Sequence, residues 1–144
     1  MNKAAHRHLS MQFQERETAK RYIARIYGQL ENETGSVDLP LICDWPNRPK
    51  QMVDHDNGKP SLTHFKVLER EAQATRVELT PITGRSHQLR VHMLSLGHPI
   101  LGDRLYAHKD ALAAAPRLQL HAQMLQLKHP VTEQVLTFEA DPDF

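Results

Sequence analysis

The chain has 144 residues, 40% of them apolar, which is one domain's worth with enough apolar side chains for a core, and this excludes wholesale disorder. Eighteen Lys and Arg against 17 Asp and Glu leave a formal charge of only +1, so attraction to a polyanion has to come from local clustering rather than from the total. No apolar run reaches the roughly 18 residues of a membrane span, the polar opening "MNKAAHRHLS" lacks the apolar centre of a signal peptide, and a single cysteine excludes an internal disulfide; a cytoplasmic protein without membrane association is expected.

Residues 2–16 carry Ala5, Leu9 and Phe13 at spacings of four and read as a short helix. "KRYIARIYG" then alternates, with Tyr22, Ala24 and Ile26 on one face and Ile23, Arg25 and Tyr27 on the other, which is strand periodicity ended by Gly28. "QLENETGS" reads as a polar turn or loop, "VDLPLI" as a short strand pushed toward an edge by Pro40, and "CDWPNRPKQ" as a Pro-punctuated loop. Cys43 is expected to be a buried, inert thiol. Residues 61–70 alternate again and "ATRVELTP" repeats the pattern with Val77 and Leu79 inward, giving two antiparallel strands joined near Ala72. Over residues 86–96 the period changes to three and four, and Gly97 is placed to end that helix with a positive φ. A short helical turn over 110–115 precedes "RLQLHAQMLQL" and "VLTFEA", a closing pair of strands around "HPVTEQ". Strands outnumber helices, so the chain is expected to be one α+β domain over 1–144, a mainly antiparallel, twisted mixed sheet with helices on a face.

The densest chemistry is "TGRSHQLRVHM" at 83–93. A zinc pair on a helix needs an i, i+4 interval, whereas His87 and His92 are five apart and about 140° around the axis, so no metal site is expected. Ser86 beside His87 is not a hydrolase pair, and Ser86 reads as the helix cap. Gly84 would let the chain turn tightly, placing Arg85 beside free amides at a helix N-terminus, a setting for phosphate or carboxylate. Arg90 lies on an otherwise apolar helix, where it must reach solvent, enter a surface ion pair or meet a buried anion.

"TGRSHQLRVHMLSLGHPILGDRLYA" resembles the signature of the RluA-type pseudouridine synthases, which isomerise uridine in structured RNA. "KRYIARIYG", "GKP" followed by "LTHFKVLE", "RVELTPITGRSHQLRVH" and "RLQLHAQMLQLKHP" fall in that family's order and spacing. "VDLPLICDWPNRPKQ" resembles the branch acting on both large-subunit ribosomal RNA and a transfer RNA anticodon stem-loop. The resemblance implies an α+β catalytic domain, RNA as partner, and chemistry that uses neither metal nor cofactor. It makes Tyr22 the active-site tyrosine, a platform for a flipped-out base that assists proton transfer. It makes Arg90 the residue that ion-pairs with the catalytic aspartate. Arg85, Lys59 and Arg104 become candidates for phosphate contacts, each of which could equally be a solvated charge. His87 joins them as an RNA-side residue, and both His87 and His92 are expected to pack and hydrogen-bond beside the site. His121, alternating with leucines, is expected to be a satisfied interior histidine.

The family's nucleophile is an aspartate in a motif of the form H-R-L-D-x-x-T-S-G, and none of the eight aspartates here has that setting. Asp103 in "LGDRLY" reads as a turn brace. The expectation is therefore a C-terminal portion of such a catalytic domain, truncated upstream and inactive alone, with a non-catalytic RNA-binding remnant as the alternative. Strands left without neighbours are expected to favour dimerisation or strand exchange at an open sheet edge.

Overall fold

In the computed structural model, alternation of apolar residues produces strands wherever it was legible, and the sheet they form fixes the position of the 83–93 segment. The structure describes residues 19–128, 135–142 and 144; the helix expected over 2–16 and the turn over 129–134 lie outside them. Eight strands run in chain order: β1 (Ala19–Tyr27), β2 (Thr34–Asp38), β3 (Leu41–Cys43), β4 (Gln51–Val53), β5 (Leu62–Arg70), β6 (Ala74–Pro81), β7 (Leu120–Lys128) and β8 (Val135–Glu139). Two helices, α1 (Gln88–Ser95) and α2 (Lys109–Ala113), separate β6 from β7. Six strands make one sheet in the order β2-β5-β6-β1-β7-β8, every pairing antiparallel, and β3 and β4 pair apart as a small arm. The α+β expectation holds.

β1 lies between β6 and β7, so the alternation in "KRYIARIY" is read from both sides. Ala24 and Ile26 are fully buried against Val77 and Leu79 of β6, while Arg25 on the other face meets Glu71 at 2.8 Å. Leu89 and Met93 of α1 close the main core from the same side as Ala24 and Ile26. The opposite flank of α1 packs Val91 against Leu41 of the arm and Tyr106, forming a second, smaller core. Consequently α1 is gripped between sheet and arm, and Gln88, Leu89, Val91, His92 and Met93 are all buried. Gly97 ends it at φ 85° as expected.

The departures from expectation have local causes. Pro40 does not merely weaken one strand; it splits "VDLPLI" into β2, in the main sheet, and β3, in the arm. β2 begins inside the stretch expected to be loop because Gly35 lies opposite Phe65, whose ring would come within 2.6 Å of any added Cβ. β4 starts at the last residue of the Pro-punctuated loop and was not foreseen: three residues are too few to show a period. Cys43 ends β3 half-buried rather than buried. His121 is also not interior; it is half-buried on β7, with Nε2 2.8 Å from the Ala140 carbonyl.

Candidate base-binding site

Tyr22 owes its setting to an irregularity in the sheet. Between Arg21 and Tyr22 the register with β7 shifts, so that Arg21 faces Met124 and Tyr22 faces Ala122, leaving Gln123 as the extra residue of a bulge. Bulges bend a strand and re-aim its side chains. Arg21 braces this one through Nε, which donates to the Gln123 side-chain oxygen at 2.8 Å. Tyr22 is half-buried against the main core, and no described residue hydrogen-bonds its hydroxyl.

The loop leading into α1 is held by a side chain the sequence reading passed over. Gln88 Oε1 accepts from the Thr83 hydroxyl at 2.5 Å and from the Arg85 amide at 3.1 Å, while Nε2 donates to the Leu62 carbonyl and to Thr63 Oγ1, both at 2.9 Å. One buried amide thus uses acceptor and donor to tie the loop to β5. The expected cap does not form: Ser86 is exposed, and the residue preceding the helix is His87, in the left-handed region at φ 54° and without a side-chain cap. Gly84 is not at positive φ and has open space where a Cβ would stand, so the tight turn belongs to His87 instead. The Arg85 amide is likewise taken by Gln88 rather than left for an anion.

Arg90 resolves its burial by meeting an anion inside this chain. Its Nε and Nη2 donate to Asp103 Oδ2 and Oδ1 at 2.9 and 2.6 Å, and the Asp103 side chain is fully buried. The same Oδ1 accepts from the amides of Leu105 and Tyr106 at 3.1 and 3.3 Å. Asp103 is therefore the turn brace that was expected and also a partner of Arg90 within this chain. The carboxylate holds the guanidinium pKa above its ordinary value. Tyr106 lies beneath, its ring centroid 5.2 Å from the guanidinium carbon.

The histidines have separate partners. His87 Nδ1 lies 2.7 Å from the Tyr106 hydroxyl, and burial together with the Arg90 charge lowers its pKa. His92, fully buried, has Nδ1 2.8 Å from Thr63 Oγ1 and Nε2 3.0 Å from the Leu39 carbonyl. That carbonyl can only accept, so Nε2 carries the proton and Nδ1 accepts from Thr63; burial lowers this pKa too. His92 is thus a packing residue, not part of the site surface.

These elements enclose a cleft of about 300 Å³ lined by Lys20 and Tyr22 of β1, the 83–85 loop, His87 to Arg90, Leu118 and Leu120. Tyr22, Arg85, His87 and Arg90 of the predicted set come together here. Lys59 and Arg104 do not line it. Lys59 is exposed and precedes Pro60, whose carbonyl accepts from Arg85 Nε at 3.1 Å, so it stands near the Arg85 rim; Arg104 is exposed beside Asp103. A larger hollow of about 690 Å³, bordered by Arg25, Tyr27, Glu71 and Asp110, contains none of the predicted residues.

A protein family described as RNA pseudouridylate synthase matches residues 1–95. The chain belongs to this family. The dual-specificity RNA pseudouridine synthase RluA of Salmonella typhimurium is 59% identical over 145 residues, covering 100% of this chain and 66% of that protein. The protein of the same name from Yersinia pestis is 56% identical and is covered over 70% of its length. Among solved structures, human RNA pseudouridylate synthase domain containing 1 superposes with a TM-score of 0.84 at 30% identity, over 100% of this chain and 62% of the human one. The chain therefore spans slightly under two thirds of the Salmonella relative, and membership of the pseudouridylate synthase family rests on that shared portion. No helix among the described residues is long and apolar enough to cross a membrane.

Proposed function

We propose that this chain supplies the base-holding and RNA-contacting wall of an RNA pseudouridine synthase active site. The observation that carries the reading is the convergence of Tyr22, its hydroxyl unengaged by any described residue, with Arg85, His87 and Arg90 around one cleft. About 300 Å³ is at the lower end of the range for a small-molecule pocket and suits one flipped pyrimidine. In the reaction the bond from the sugar to N1 breaks, the uracil rotates and it rejoins through C5, releasing the C5 proton. Tyr22 stacks on the base and assists proton transfer; Arg90, with Asp103 on one edge, presents the rest of its guanidinium as fixed positive charge. Arg85, Lys59 and Arg104 are assigned to phosphates of a stem-loop in ribosomal or transfer RNA, in the cytosol.

The H-R-L-D segment that supplies the attacking carboxylate is absent from the sequence. Neither a tyrosine nor an arginine replaces it, and the carboxylate nearest Arg90 is Asp103, committed to a turn and fully buried. The 144 residues alone are therefore proposed to bind without turnover, which is also what the second reading, an RNA-binding remnant, requires. The test is incubation with an anticodon stem-loop carrying tritium at uridine C5. Salt-sensitive binding without release to water is expected; release would overturn the claim of inactivity, and loss of both binding and release would reject RNA as the partner. Dimerisation or strand exchange belongs to the same proposal, the outermost strands of the main sheet being β2 and β8. A monodisperse monomer that binds no apolar dye counts against it.

A further inference from the structure

The Tyr106 hydroxyl fixes more than a ring position. It accepts from the Gln51 amide at 2.8 Å, and that backbone donor is unambiguous. Its other partner is His87 Nδ1 at 2.7 Å, and no other described acceptor receives the phenol proton. The arrangement that satisfies every group has Tyr106 donating to Nδ1, which makes Nδ1 an acceptor and leaves the imidazole proton on Nε2. Burial and the neighbouring Arg90 charge keep the ring neutral. His87 is also locked from the backbone side, at φ 54° between the Gln88-anchored loop and α1, and its ring meets Tyr106 edge-on at 5.6 Å. With Nδ1 occupied, Nε2–H is the one polar group of a cleft-lining ring that no described residue engages.

Resting on the reading of the cleft as a pyrimidine site, we infer that His87 is a specificity-determining donor: its Nε2–H hydrogen-bonds an exocyclic carbonyl oxygen of the bound uracil, and Tyr106 is the positioning residue that holds the tautomer. A neutral N–H in a fixed place favours a carbonyl and rejects an amine there, because two donors would face one another in a dehydrated cleft. Tyr22, as a stacking platform, reads no edge.

Three measurements on the whole chain test this. Nitrogen-15 NMR of the free protein is expected to show His87 protonated at Nε2 at neutral pH, and Tyr106→Phe is expected to raise the His87 pKa, since a donor that favours the neutral ring has been removed; a purely structural role for Tyr106 leaves that titration unmoved. Fluorescence anisotropy then compares stem-loops carrying uridine, 2-thiouridine or 4-thiouridine at the target position. Sulfur accepts poorly, so one of the two substitutions, depending on which carbonyl is read, weakens binding about three- to tenfold. That penalty disappears in His87→Met and persists in His87→Gln, which keeps a donor at similar reach.

The outcomes separate. An Nδ1–H tautomer, or equal affinity for all three stem-loops while His87→Met still weakens binding, overturns the inference and leaves a phosphate contact in its place. No stem-loop binding at all, with the Nε2–H tautomer intact, rejects the RNA reading on which the inference rests.

Discussion

The Arg90–Asp103 pair offers the sharpest energetic test of how this cleft is built. Asp103 is fully buried and the Arg90 side chain is 18% exposed, with N···O separations of 2.6 and 2.9 Å. Truncating one partner of such a pair leaves the other charge buried, which costs about 3–5 kcal/mol in general. The partial exposure of Arg90 and the two turn amides on Asp103 soften the loss, so about 3 kcal/mol is expected for Arg90→Met and about 2–3 kcal/mol for Asp103→Asn, in which one oxygen can still accept from the turn. The double variant removes both charges together, and its loss should fall short of the sum by about 2 kcal/mol. Urea unfolding followed by circular dichroism at neutral pH measures all four corners of this cycle. The coupling should change little between low and high salt, because a buried pair is poorly screened. A coupling below about 0.5 kcal/mol, or one abolished by salt, would refute the claim that this pair anchors α1 to the 102–106 turn.

Gln88→Leu keeps volume but removes four hydrogen bonds and leaves two donors, the Thr83 hydroxyl and the Arg85 amide, without their acceptor, while the Leu62 carbonyl keeps the Ile82 amide and Thr63 keeps His92; the loss should be about 2–4 kcal/mol in the same assay. Tyr22→Phe removes a hydroxyl that no described residue engages, so stability should stay within about 0.5 kcal/mol while any turnover by an aspartate-supplied enzyme falls. His87 and His92 both have folded-state pKa values below the ordinary 6.5. On acidification the unfolded chain binds protons first, so their contribution is whole above about pH 6.5 and declines below it. Thermal midpoints should therefore drop between about pH 7.5 and pH 5.5, and His92→Gln should shrink that drop; an unchanged profile would mean that His92 is not held neutral.

Much of the fold was legible because strand alternation is a local property. β1, β5, β6 and β7 follow directly from which residues repeat every second position, and Gly97 ends α1 for the reason that glycine alone tolerates that backbone easily. β4 was not legible, since three residues carry no period, nor was the early start of β2, where Gly35 pairs opposite Phe65. In the site, Tyr22 and Arg90 were chosen through family resemblance, and the cleft brings them together with Arg85 and His87. Spacing could not reveal that the acceptor of Arg90 lies thirteen positions onward in a turn, or that Gln88 reaches back to β5.

The sequence by itself determined the long strands, the family resemblance and the absence of the H-R-L-D motif, because composition, periodicity and motif order are properties of the string. Only the tertiary structure decided the partners. Whether Arg90 faces solvent or Asp103, and which nitrogen of His87 is engaged by Tyr106, depends on groups distant in the chain. Burial forces those groups to satisfy one another where water cannot.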